Sequence, residues 1–278
     1  AGTALAILHR SRAEVPASIE PMSARFRRIA RDLEPARLGA IEDDWEDLEI
    51  DLGMRHPTDR RLLGTYTTEG LLYALQRFGV LPYLRRLGYD AFRAEIATET
   101  LGQRLRILGD DAQGTAHMLA ESLIERRELA GRPVIYVHWL TLRNPLAEFG
   151  KRAPLPGQEV PGLGLSMEVI GLLEQIARRI GAHGVAFRPS WYHTAWSPSD
   201  RVRFVEDTRQ GRYDALLRDL GHVPRQDLSP LLQEHGVLLN GDPYTWEPSD
   251  MVLWIDGKPP DTPGMIEERE RCHFSLVR

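Results

Sequence analysis

The stretch Leu155-Pro156-Gly157-Gln158-Glu159-Val160-Pro161-Gly162-Leu163-Gly164-Leu165 opens as a Pro/Gly turn and runs straight into a helix. Apolar residues recur at Leu165, Val169, Leu172, Leu173, Ile176 and Ile180, the spacing of a helix with one buried stripe. Arg178 and Arg179 fall in the last turn and Gly181 follows, which marks the end. Upstream, Val134 to Leu142 reads as a strand, and downstream Gly184 to Phe187 reads as another. The order is strand, glycine-rich loop, helix, strand. The first N–H groups of a helix have no internal partners and carry partial positive charge. A loop without side chains lets a phosphate group approach them. The segment is therefore a candidate anion cradle, and equally a tight turn that needs only glycine dihedrals and a rigid proline.

Around this unit the period of the sequence changes. Met22 to Leu38 places Phe26, Ile29, Ala30 and Leu33 at helical spacing between arginines, with a break at Pro35. Glu42 to Glu49 is a strongly acidic run, read as a solvated face. Thr67 to Leu87 is helical, capped by Thr67 or Thr68 and interrupted at Gly79. From Arg93 the period moves towards 2: Ala94 to Thr98, Gln103 to Leu108 and Met118 to Arg127 alternate as half-exposed antiparallel strands do. Val134 to Leu142 is apolar on both faces and reads as a covered central strand. Gly211 to Leu220 is a further helix. Asn240-Gly241-Asp242-Pro243 is a turn signal, with Tyr244 to Trp246 and Met251 to Ile255 as the strands around it. Residues from Asp256 read as irregular until His273 to Val277. The whole is an α+β chain with a mixed, mostly antiparallel sheet flanked by helices. Residues 1–60 form a helical or irregular extension, 61–255 the core domain and 256–278 a C-terminal tail.

Composition narrows the function classes. The net charge of −5 gives no global attraction to nucleic acid or an anionic membrane. No apolar run reaches the ~18 residues of a membrane span, and no signal-peptide pattern is present at the start. One cysteine, Cys272, excludes an internal disulfide framework and a cysteine-based zinc site. A cytoplasmic protein fits these features. All 35 basic residues except Lys151 and Lys258 are arginine, which reads as the coding bias of a GC-rich, bacterial-type genome.

The loop has neither the GxxxxGK[ST] nor the GxGxxG pattern of common nucleotide sites. It resembles the acyl-CoA loop of the GNAT acyltransferase superfamily. That loop has Gln or Arg, two residues of any kind, Gly, one residue, then Gly or Ala, between a long central strand and a helix. Gly162 and Gly164 match the two small positions, Glu159 takes the polar position, and Gln158 lies one residue early. The resemblance covers Val134 to Phe187. It implies a GNAT-like α+β fold and an N-acyltransferase. Acetyl-CoA or a longer acyl-CoA would be held by Gln158, Gly162, Leu163, Gly164 and Leu165. The acceptor would be an amine on a small molecule or a protein.

His138 lies mid-strand, and Tyr192 and His193 follow the next strand. An imidazole titrates near neutrality and suits a general base. The resemblance implies a base that takes a proton from the amine and an acid that protonates the leaving thiolate. His138 and His193 are the base candidates, and Tyr192 is the acid candidate by position. A hydrogen-bonded core histidine and aromatic packing under a loop are the structural alternatives for these residues. GNAT proteins often carry a tyrosine a few residues before a Gly-Phe pair, and the nearest match here, Leu217 to His222, has none in that place. Two further function classes therefore stay open. One is a non-catalytic binding module on the same scaffold. The other is a hydrolase using His138 or His193 with a water, which requires a carboxylate within hydrogen-bond reach. Glu95, Glu99, Glu121 and Glu125 alternate along the strands as exposed sheet charge or as paired carboxylates.

Overall fold

The computed structural model describes residues 22–39, 61–150, 154–195, 201–257 and 259–277. The acidic run Glu42 to Glu49 lies outside them. Two short helical segments come first, α1 (Met22–Arg31) and α2 (Pro35–Leu38), divided where Pro35 takes the first position of a new turn. Helix α3 (Thr68–Arg77) starts where the Thr67 hydroxyl accepts from the Gly70 N–H, and α4 (Val80–Arg86) follows after Gly79 at φ +84.

Four antiparallel strands come next: β1 (Asp90–Glu99), β2 (Gly102–Asp110), β3 (Ala116–Leu129) and β4 (Arg132–Leu142). Helix α5 (Ser166–Arg179) then leads to β5 (Gly184–Phe187), which lies parallel to β4. The remaining elements are α6 (Tyr192–Ala195), β6 (Val202–Phe204), α7 (Asp207–Leu220), α8 (Arg225–Leu231), β7 (Val237–Leu239), β8 (Asp242–Tyr244), β9 (Met251–Trp254), α9 (Pro263–Arg271) and β10 (Phe274–Leu276). The large sheet has seven strands in the order β1-β2-β3-β4-β5-β9-β6, and a small one has the order β10-β7-β8. The fold is α+β, with a mostly antiparallel sheet flanked by helices.

Alternation along the central strands divides the core. Ile135, Val137, Val185 and Leu253 pack against α1 to α5 in one large cluster. Val134, Tyr136, Ala186, Val252 and Trp254 form a small cluster from the opposite parity. A second helical cluster joins Met251 and Phe204 to α7, α8 and Phe274. Among the described residues, no helix is long and apolar enough to cross a membrane.

Two expectations are corrected. The Asn240–Gly241 turn joins β7 to β8, both residues having positive φ as a tight hairpin turn requires, and Met251–Trp254 enters the large sheet between β5 and β6. All four residues of β9 are buried, so its apolar run belongs to a covered strand and not to a surface hairpin. The tail is also ordered over Pro263–Arg271. Pro263 sits at the helix start, and the Thr262 hydroxyl accepts from the Met265 N–H at 3.2 Å.

Candidate functional site

The parallel pairing of β4 with β5 is short. Ile135 faces Val185, Tyr136 faces Ala186, Val137 faces Phe187, and there β5 ends. β4 runs on beside β3, carrying a bulge at the same point. Trp139 opposes Leu123 and Val137 opposes Ile124, so His138 has no residue across from it. A bulge bends its strand and leaves one residue outside the ladder. Beyond Val137, β4 therefore runs on without β5 paired to it, a notch in the hydrogen-bond ladder that begins at His138.

The glycine-rich loop is tied to the chain just past the end of β4. The Asn144 N–H, just past β4, donates to the Pro161 carbonyl at 2.7 Å, and the Tyr83 hydroxyl donates to the Leu163 carbonyl at 3.0 Å. Leu163 and Leu165 turn inward and are buried, while Gly164, between them, is exposed with φ +71. That φ is why glycine stands there: a side chain in this region is strained. Among the described residues, no side-chain hydrogen bond from Leu165 caps the start of α5. Among the described residues, the N–H groups of Gly164, Leu165, Met167 and Glu168 have no acceptor. Gln158 folds its own turn, its Oε1 accepting from the Leu155 N–H at 3.2 Å. Gly157 lies against the Trp191 indole, whose buried Nε1–H finds no acceptor among the described residues.

His138 is half-buried, with Nε2 2.9 Å from Glu125 Oε1 across the β3–β4 pair. Glu125 also pairs with Arg127, and that guanidinium stacks over the Tyr136 ring at 3.9 Å. The Tyr136 ring meets the His138 imidazole edge-on, with centroids 4.9 Å apart. The Tyr136 hydroxyl donates to Asp250 Oδ1 at 2.7 Å, and Arg188 Nε donates to the same oxygen at 3.0 Å. Burial, then the nearby Asp250 carboxylate, push the Tyr136 phenol up to about 12, so it keeps its proton at neutral pH.

Tyr192 and His193 lie elsewhere. Tyr192 sits 2% exposed between Tyr213 and Trp246, its phenol pushed up to about 12 by burial. His193 is 1% exposed, its Nδ1 2.8 Å from the Ser229 hydroxyl. Burial, with Arg225 nearby, holds its imidazole down to about 4. Among the described residues, no hydrogen bond or ring contact joins either of them to His138.

Sequence reasoning singled out Glu125 only as one of several strand carboxylates. Two of the others have arginine partners across the strands, Glu121 with Arg106 at 2.6 Å and Glu99 with Arg104 at 2.9 Å. Asp250 was missed: it is 112 residues from His138 and nothing local distinguishes it from other acidic residues at strand starts. The lone Cys272 is buried beside Glu268, and burial, then that carboxylate, push its thiol up, so it is no reactive nucleophile. A scan of the chain against protein-family models finds no match, and a search of curated proteins finds none either.

Proposed function

We propose that the chain binds an acyl-CoA or related pantetheine thioester and transfers the acyl group to an amine. The observation that carries this reading is the end of the β4–β5 pairing at Val137, next to the bulged His138 and to a loop whose helix start has no side-chain cap among the described residues. The thioester lies in the notch, with its carbonyl oxygen against β4 N–H groups beyond Val137, where β5 no longer pairs with the strand. The diphosphate sits on the amides from Gly164 to the first turn of α5. Trp191, with a buried donor lacking an acceptor, suits an oxygen-rich ligand along the same loop.

The amine nitrogen attacks the thioester carbon, the new C–N bond forms, and the C–S bond breaks. His138 takes the proton the amine loses. Glu125, accepting from Nε2–H, leaves Nδ1 with its lone pair and stabilises the imidazolium that results. The leaving thiolate takes its proton from water. Calorimetry with acetyl-CoA and longer acyl-CoAs, repeated on Gly164→Glu, tests the binding. Saturable heat that the added carboxylate abolishes supports the proposal. No heat and no thermal shift at saturating ligand overturns it.

The carboxylate within reach of His138 also favours a second reading, hydrolysis of the thioester by a water activated at the same imidazole. Free-thiol release with and without an amine panel separates the two. Acyl transfer requires the amine, and hydrolysis does not.

A further inference from the structure

Between the helix layer and the sheet lies a cavity of about 120 Å³ with almost wholly apolar walls. Its lining includes Val137 and Leu140, which flank the bulged His138, and Leu163 and Leu165 from the glycine-rich loop. It follows one face of α5 through Val169, Leu172 and Ile176. At 1.5 Å rise per residue, Leu165 to Ile176 spans about 16 Å. One end of the cavity is thus lined by the same segments that frame the notch.

Towards the C-terminal end of α5 the lining turns polar, with Gln175 and, one turn further, Arg179. The Gln175 side chain is buried, lines the cavity, and its Nε2 has no acceptor among the described residues. A buried amide without a partner opposes the continuation of an alkyl chain, because the chain offers it no acceptor and excludes water from it. Native cores hold few voids larger than a water molecule. An apolar void of about 150 Å³ stays dry and accepts a six-carbon guest, so 120 Å³ corresponds to about five carbons.

We infer that this cavity is the seat of an acyl chain of about six carbons, with Gln175 setting its upper length. The inference rests on the acyl-thioester reading above and deepens it: the favoured substrate is a medium-chain acyl thioester, not acetyl-CoA. The carbonyl stays in the notch while the chain enters past Leu140 and Leu163.

The test compares acetyl-, butanoyl-, hexanoyl-, octanoyl- and dodecanoyl-CoA by calorimetry on the wild type, Val169→Phe and Gln175→Leu. Hexan-1-ol alone is titrated in parallel by thermal shift. Affinity should rise about tenfold for each two methylenes up to hexanoyl and fall for dodecanoyl. Val169→Phe, which fills the cavity, should remove that rise and leave acetyl-CoA affinity within about twofold. Gln175→Leu should move the optimum to octanoyl or beyond, and an unmoved optimum overturns its role as the length limit. Equal affinity for acetyl- and hexanoyl-CoA, with no effect of hexan-1-ol, overturns the chain seat while the thioester reading stands. If no acyl-CoA binds but hexan-1-ol stabilises the wild type and not Val169→Phe, the thioester reading fails and the alkyl cavity stands. If neither ligand binds, both fail.

Discussion

His138 occupies the bulged position of β4, and its Nε2 lies 2.9 Å from the Glu125 carboxylate on β3. The bulge that takes His138 out of the β3–β4 ladder lies level with the point where β5 stops pairing with β4, so the imidazole stands where that pairing ends. On the proposed acyl-transfer reading, removing the imidazole slows the chemical step without loosening the thioester. His138→Gln is expected to lower kcat by about 10²–10⁴, the usual contribution of a positioned base. Acyl-CoA affinity should change less than about threefold. Glu125→Gln should give a smaller fall in kcat, with rescue by Glu125→Asp at best partial because the shorter side chain withdraws the oxygen. Steady-state kinetics with calorimetric Kd values reads this split, and a mutant losing affinity and rate together argues against it.

The buried His193 gives stability its own pH dependence. Its imidazole is held down to about 4 by burial, against about 6.5 in the unfolded chain. The unfolded state therefore binds more protons between those values, and stability rises with pH across that window. The contribution is complete above about pH 6.5 and is lost as pH falls towards 4, about 3 kcal/mol in all. Urea midpoints measured from pH 7 to pH 4.5 should fall for the wild type. They should be flatter for His193→Gln, which keeps a hydrogen-bonding partner for Ser229 and has no proton to gain. Equal slopes would mean that another group carries the acid sensitivity.

The parts of this fold legible in the sequence are those set by local period. β2 and β3 announce themselves through alternation of two, β4 through an apolar run covered on both faces, and α5 through a stripe of 3.6. The loop before α5 is legible for a related reason: Gly164 stands between Leu163 and Leu165, which turn inward. The bulge at His138 is not legible, since no composition distinguishes a nine-residue apolar run with one residue outside the ladder from one without. Nor is the Glu125 contact, which depends on the β3–β4 register. Tyr192 and His193 sit after a strand end, the place where ligands often bind, and what encloses them comes from α7, α8 and Trp246, distant in sequence. Helix α9 was hidden by its charged composition, although Thr262-Pro263 is a local start signal.

That C-terminal helix is docked through a glycine. A Cβ on Gly211 in α7 would lie 2.4 Å from the Met265 carbonyl oxygen and 2.8 Å from the Glu268 Cβ, so the two helices touch backbone to backbone. Gly211→Ala gains intrinsic helix propensity yet forces α9 away. The overpacking should prevail and cost about 1–3 kcal/mol. Hydrogen exchange should show the loss of protection concentrated in residues 263–276, with β2 to β4 unchanged. A neutral or stabilising Gly211→Ala would mean that α9 moves aside freely.

Glu174, on α5 next to Gln175, is 3% exposed and held by two guanidiniums. Arg201 grips both carboxylate oxygens at 3.1 and 3.0 Å, and Arg178 reaches Oε1 at 2.9 Å while also donating to the Ile255 carbonyl. Burial alone would raise this carboxyl, but Arg201 and Arg178 outweigh it and keep the group below its ordinary range. The depressed value means the carboxylate contributes stability above its unfolded pKa, and that contribution is lost as pH falls through the folded one. Glu174→Gln takes the buried carboxylate away from two partly exposed guanidiniums and should cost about 1.5–3 kcal/mol at pH 7. The deficit should shrink on acidification, because the wild-type carboxyl is then protonated too. Arg201→Met combined with Glu174→Gln should be less destabilised than the sum of the single changes, with a coupling of about 1 kcal/mol or more. Additive losses would mean the pair acts through packing alone, and the roll of α5 that faces Gln175 to the cavity would then depend on its apolar stripe.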